Sequence, residues 1–190
     1  MFLQGFVKRE ADILLYIKNS LLRRQVQGLD FKLVETVDFD QNVSLVPWQR
    51  KISKGSFFHA PHEGIGRSGA AAMSLKDSHK DMTYVQEFKA RPGLVYRVTV
   101  DVRTVGVDQS CVVGLRAAWS APGKTWLNSA YDAREELTED ASFDWRKLSV
   151  VVSSPDVDKC KLKVLLSSAQ STDGEVFFDN LTIEEALPAK

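Results

Sequence analysis

The run Leu94-Val-Tyr-Arg-Val-Thr-Val-Asp-Val-Arg-Thr104 decides the fold class. Leu94, Tyr96, Val98, Val100 and Val102 fall on one face of an extended chain, and Arg97, Thr99, Asp101 and Arg103 on the other. That is the two-residue period of a strand with one face in a core. Pro92-Gly93 supplies the turn before it. Working outward, short runs bounded by turn residues predict further strands near 31–37, 71–76, 82–88, 111–119, 145–152, 159–167 and 175–184. About eight strands with no helices between them imply an all-β protein, an antiparallel two-sheet β-sandwich of jelly-roll type.

The last of these runs, Gly174-Glu-Val-Phe-Phe-Asp-Asn-Leu-Thr-Ile-Glu-Glu185, raises a difficulty. Regular alternation places Phe177, Asp179, Leu181 and Ile183 on one face, with a carboxylate in an apolar row. Burying an unpaired carboxylate is costly, so a cation or a set of hydrogen-bond donors is expected around it.

Residues 7–25 have a different period. Val7, Ala11, Leu14, Leu15, Ile17, Leu21 and Leu22 recur at near-helical spacing, with Lys8, Arg9, Glu10, Lys18, Arg23 and Arg24 between them. The expectation is an amphipathic helix or linker over residues 1–30, followed by the sandwich domain over 31–186. Such a helix packs on the domain, pairs with a second copy in a homodimer, or contacts a parent chain. It lacks the basic start and small-residue cleavage site of a signal peptide, and charges interrupt each apolar run, so no membrane insertion is expected. The chain then reads as cytoplasmic, or as part of a larger exported chain that is extracellular or periplasmic.

The 190 residues are 44% hydrophobic, enough for one core, and 25 basic residues balance 25 acidic ones. No global field draws this chain to nucleic acid or an anionic membrane. Cys111 and Cys160 match no metal spacing and each opens an apolar run, which marks them as small core residues. A disulfide between them stays open.

Several local patterns combine along the chain: "VDFDQ" with "PWQRK" beyond it, "RSGAAAMSL", "FKARPGLVYRVTVDV", "FDWRKLSVVVSSP" and "GEVFFDNLTI". In this order they resemble the landmarks of galactose-binding-like β-sandwich carbohydrate-binding modules, close in style to families four and nine. The resemblance spans roughly residues 33–184. It implies a structural calcium beside the first strand, held by Asp40 after Phe39, by the turn at Ser68 and Gly69, and by Asp179 after Phe178. The family more often has Glu where this chain has Asp40, and a second acid where it has Asn180, which lowers the ligand charge here. Calcium prefers six to eight oxygens, so it supplies one answer to the buried carboxylate. A bulge, or backbone donors around Asp179, supplies the other.

Two motifs invite other readings. "GIGRSG", Gly64 to Gly69, matches a dinucleotide fingerprint, but that fingerprint needs a strand-to-helix junction and everything downstream reads as β. "HAPHEG" contains His59 and His62, yet Pro61 argues against the helix a zinc protease requires, so a loop is expected. The acids of "YDAREELTEDASFDW" read as a solvated loop, since loop spacing does not set two carboxylates across a substrate. No catalytic residue is identified.

A sugar site needs a flat aromatic ring and nearby polar groups. Trp126 and Tyr131 fit best, in a segment rich in Gly, Pro, Asn and Ser. On the preceding strand, Val112, Gly114, Arg116 and Ala118 share one face, a shallow strip with one cation at its middle. Arg116 there is a candidate contact for hydroxyls or a uronate carboxylate, the alternative being a surface ion pair that contributes little. Gln86 and His59 are further candidate contacts. Trp119 and Trp145 are assigned to the core, and Trp48 to packing near the first loop. The resulting expectation is a noncatalytic module that binds polysaccharide or oligosaccharide within a larger enzyme or envelope protein. The alternative is a structural or protein-interaction sandwich without a sugar site.

Overall fold

The computed structural model describes residues 28–41, 45, 47–51, 55–76, 82–107, 111–127, 131–139 and 142–187. The expected N-terminal helix lies outside these residues, as do the dimer or parent-chain contacts assigned to it.

Eleven strands run through the described chain: β1 (Phe31–Val37), β2 (Gln49–Lys51), β3 (Ser56–Ala60), β4 (Ala70–Ser74), β5 (Met82–Lys89), β6 (Val95–Val105), β7 (Cys111–Ser120), β8 (Ala133–Glu139), β9 (Arg146–Ser153), β10 (Lys161–Ala169) and β11 (Glu175–Ala186). They form two antiparallel sheets. The first has the order β3-β4-β11-β6-β9 with β1 also paired to β11, and the second β2-β5-β10-β7-β8. This is the two-sheet sandwich expected from the alternation in Leu94 to Thr104.

The inner faces pack as that alternation requires. Tyr96, Val98, Val100 and Val102 of β6 meet Val113, Leu115, Ala117 and Trp119 of β7 and Leu162, Val164 and Leu166 of β10 in one cluster. The Tyr96 and Trp119 rings meet edge to face at 5.9 Å across the layers. Polar atoms trapped between the layers find partners: Tyr84 Oη on β5 donates to the Ala72 carbonyl on β4 at 2.9 Å, and Trp119 Nε1 donates to the Tyr131 carbonyl at 3.1 Å. Cys111 and Cys160 are buried thiols and form no disulfide.

Four sequence expectations are corrected. Three strands went unforeseen. β2 and β3 are short, and β8 is the "AREELTE" expected as a solvated loop. Charge does not prevent β8 from pairing, because it is an edge strand whose Arg134, Glu136 and Thr138 sit outward beside β7. In "HAPHEG", His59 and Ala60 close β3 and only the rest is turn. Trp145 is not in the central core. It is partly buried against Ala60, Ala70, Ala72 and Phe177, a smaller cluster separate from the main one.

The last correction concerns β11. Phe178, Leu181 and Ile183 belong to the main core, whereas Phe177 belongs to the smaller cluster. A bulge between Asp179 and Thr182 resets the alternation, with Asn180 at φ 49°. Asp179 therefore never joins the row of Leu181 and Ile183. The bulge also marks where β11 changes neighbours, from β4 at Glu175–Phe178 to β1 at Leu181–Ala186.

Candidate functional site

Two groups of side chains stand out, one on each sheet. On the second sheet, β7 and β10 alternate, so that Val112, Gly114, Arg116 and Ala118 face outward beside Lys163, Leu165 and Ser167. The sequence strip is therefore present, and β10 doubles its width. From Lys161 to Ala169 it is about 26 Å long at the rise of a strand. Gly114 forms its floor: a Cβ there would come 2.8 Å from Ser167 Oγ and 3.3 Å from Glu136 Cγ. A cleft of about 220 Å³ opens over this floor, walled by Thr83, Arg116, Arg134 and Glu136.

Trp126 reaches this strip from the turn that follows β7. The turn is closed by Ala121 and Lys124, which exchange backbone hydrogen bonds at 3.0 and 2.8 Å, and by Leu127 N–H donating to the Trp119 carbonyl at 2.8 Å. The indole is 39% exposed, so one part of it is available. Lys163 Nζ lies 4.1 Å and Arg116 Cζ 5.2 Å from the ring centroid, both in cation–π range.

Each of these cations is matched by a carboxylate. Arg116 is paired with Asp132, which is buried, and Lys163 Nζ lies 3.6 Å from Glu87 Oε1. Glu87 also accepts from Ser120 Oγ at 2.7 Å and from Lys161 Nζ at 3.1 Å. Burial pushes the Glu87 carboxyl up, but these hydrogen bonds and the charges of Lys161 and Lys163 hold it below its ordinary range. Arg134 and Glu136 continue the alternation of sign along β8 at 4.0 Å.

The other candidate sugar contacts fall differently. Tyr131 is 37% exposed and adjoins Asp132, the partner of Arg116. Gln86 shares the inward face of β5 with the buried Tyr84 and Phe88, so it is not on the face that carries Arg116. Its Oε1 is buried and has no hydrogen-bond partner among the described residues. His59 lies on the first sheet, its Nε2 2.9 Å from the Phe39 carbonyl, and does not meet Trp126. Lys163, Glu87 and Asp132 were missed by the sequence reading. Outward Lys161 and Lys163 were visible as alternation, but nothing local says that a turn from another strand lies over them.

The second group is the one the resemblance assigned to calcium, and the structure brings its members together. Asp179 has no exposed surface. Its Oδ2 accepts from Ile65 N–H and Ser68 Oγ, each at 2.9 Å, and its Oδ1 from Asn180 N–H at 2.7 Å. Asp40 Oδ1 accepts from Gly69 N–H at 3.1 Å. Burial pushes the Asp179 carboxyl up, the three donors pull it down, and the nearby Asp40 charge pushes it up again, leaving it above its ordinary range. The literal "GIGRSG" is thus a turn, a single 3-10 element at Ile65–Arg67, whose donors wrap one carboxylate.

The oxygens here suit a hard cation in kind. Gly69 O, Ser68 Oγ and Asp179 Oδ2 converge on the space that a Cβ on Gly64 would occupy, so only glycine leaves it open. Among the described residues, no group of three or more His, Cys, Asp or Glu side chains that could hold a metal ion is found, so a cation here would rest on two carboxylates with hydroxyl and carbonyl oxygens.

No family model matches the chain, and no curated protein matches it. Solved structures do. The architecture is that of β-sandwich carbohydrate-binding modules. The CBM22-2 xylan-binding domain from Paenibacillus barcinonensis Xyn10C aligns with a TM-score of 0.59 at 10% identity, covering 78% of this chain and 97% of that domain. Larger proteins contain the same fold. The CBM22-1-GH10 modules of Clostridium thermocellum endo-1,4-beta-D-xylanase 10B, complexed with xylohexaose, align at 0.55 with 16% identity over 81% of this chain and 28% of that one. An arabinose-bound MgGH51 α-L-arabinofuranosidase aligns at 0.58 with 10% identity over 83% and 27%. This chain therefore spans about a quarter of the length of those two proteins. At such identities the likeness concerns the fold.

Proposed function

We propose that this protein is a noncatalytic carbohydrate-binding module whose site is the outer face of the second sheet, within a larger exported protein. The observation that carries the reading is Trp126, a partly exposed indole in cation–π range of Lys163 and Arg116, the latter also walling the cleft floored by Gly114. A ring in that position stacks on the apolar face of a pyranose. Arg116, Arg134, Glu136 and Ser167 offer donors and acceptors to hydroxyls at its sides. Asp132 and Glu87 are engaged by Arg116, Ser120 and Lys161, an arrangement for recognition rather than for acid–base chemistry.

Native affinity electrophoresis with calcium present, against xylan, mannan, a mixed-linkage glucan and polygalacturonate, tests the proposal. Retardation by one polymer class is expected. Migration unchanged in every gel overturns it and favours a structural or protein-interaction sandwich. The observation behind that second reading is the small apolar cluster around Phe58, Trp145 and Phe177, where Arg103 stacks on both Trp145 and Phe177.

We further propose that Asp40, Asp179, Ser68 Oγ and the Gly69 carbonyl hold calcium, which when bound supplies charge compensation for the two carboxylates. Calcium at 100 times its dissociation constant is expected to add about 2.7 kcal/mol of stability over EDTA. A melting temperature indifferent to both removes the metal and leaves the three donors around Asp179 as its sole compensation.

A further inference from the structure

The residue that fixes the platform is not on the turn that carries it. Lys163 lies on β10, outside the local sequence of Trp126, and its side chain is only 6% exposed. A buried ammonium must spend its three donors and its charge on partners, because losing water is costly. Here the partners converge from three sides. Nζ donates to the Thr125 carbonyl at 2.8 Å, lies 3.6 Å from Glu87 Oε1 on β5, and stands 4.1 Å from the centre of the Trp126 ring. Two of these contacts go to consecutive residues of the turn, one to its backbone and one to its aromatic ring.

We propose that Lys163 is the positioning residue of the sugar site: it holds the Thr125-Trp126 backbone and one side of the indole, so that the exposed side is presented in one orientation before any ligand arrives. This deepens the proposed function and rests on it for its effect on binding. The turn is already closed at its ends by the Ala121–Lys124 pair and by Leu127, whereas Lys163 acts at the middle, where the ring leaves the backbone. An ordered ring saves the cost of immobilising it on binding, so the effect appears in affinity. Arg116 cannot take over this role, since its guanidinium contacts the same ring but is committed to Asp132.

The test uses Lys163→Met, which keeps the aliphatic stem, and Lys163→Arg, which restores a cation. One readout needs no ligand: the Trp126 indole N–H resonance, assigned by its loss in Trp126→Phe. In Lys163→Met it is expected to shift and broaden while the melting curve stays cooperative, and Lys163→Arg is expected to recover it in part. With whichever polysaccharide retards the wild type, Lys163→Met is expected to bind about tenfold more weakly, Lys163→Arg falling between. A purely structural lysine leaves the indole signal of the folded variant unchanged, and that result overturns the proposal. Should Lys163→Met not fold, nuclear Overhauser contacts between the Lys163 ε-methylene and the Trp126 ring in the wild type decide the matter, their absence overturning it. Loss of the indole signature in Lys163→Met together with no retardation of the wild type by any polysaccharide would instead uphold the positioning of the ring and remove the sugar-binding reading.

Discussion

The two charged groups of this protein solve the same problem in opposite ways. Around Asp179, a single fully buried carboxylate is held by neutral donors, the Ile65 and Asn180 amides and the Ser68 hydroxyl. On the outer face of the second sheet, cations are held by carboxylates: the partly exposed Arg116 by Asp132, and the partly exposed Lys161 and the buried Lys163 by Glu87. Fixed dipoles around a buried charge give one geometry that is expensive to leave. Ion pairs near solvent contribute little to stability, and their partners can be shared with an incoming hydroxyl. Under the proposed function, the first arrangement serves architecture and the second recognition.

Mutations that separate stability from binding put this contrast at risk. The largest effect is expected from Asp179→Ala, which leaves the Ile65 and Asn180 amides without their acceptor in a closed site, while the Ser68 hydroxyl keeps the Ile65 carbonyl at 2.7 Å. Urea unfolding is expected to show a loss of about 3 kcal/mol, while the folded fraction is retarded by polysaccharide as before. A loss within 0.5 kcal/mol, roughly the scatter of neutral surface changes, would break the contrast. Trp126→Ala is expected to do the reverse, abolishing retardation at a stability cost below about 1 kcal/mol, since the ring is 39% exposed.

Acidity sharpens the same comparison with smaller effects. Arg97, 2.6 Å from Glu184, holds that carboxyl below its ordinary range, so its contribution is present above the unfolded value and disappears as pH falls through the lowered one. The stability gap between wild type and Glu184→Gln should therefore widen from pH 3 to pH 6, by less than about 1 kcal/mol for such an exposed pair. Asp179 is raised by burial, so in EDTA the protonated form is favoured by the fold and its contribution is lost as pH rises above about 4. The gap between wild type and Asp179→Asn should then narrow over the same interval. Parallel slopes for the two variants in EDTA would contradict the assignment. The smallest effect is expected from Gly114→Ala: the new methyl displaces Ser167 Oγ, a movable hydroxyl, so retardation weakens while the melting temperature barely moves.

Much of this was legible in the sequence, and the reasons differ by region. β6 was plain because its Tyr and Val residues alternate without interruption and its turn is marked by Pro92-Gly93. β8 was hidden because its apolar positions are only Ala133 and Leu137, with the inward Glu135 used up on the Ser149 amide of β9. The bulge at Asn180 had a signal that went unused, since Asn tolerates positive φ better than other non-glycine residues. Trp126 and Arg116 could be paired from one strand's alternation and the turn after it. His59, Gln86 and Lys163 could not be placed, because membership of a sheet and of a face is decided by pairings with distant residues, Ala71 for His59, Val164 for Gln86 and Ala118 for Lys163.

The change of partner along β11 also has a mechanical side. β1 pairs antiparallel with the final half of β11, and Leu187 N–H donates to the Asp30 carbonyl at 2.8 Å, so the domain is entered and left at the same corner. Tension applied through residues 28 and 187 would load that ladder from its open end and part its bonds one after another, like a zip. The sandwich would surrender β1 at low force, up to the Asp179 bulge, before the strands that carry Trp126 felt any load.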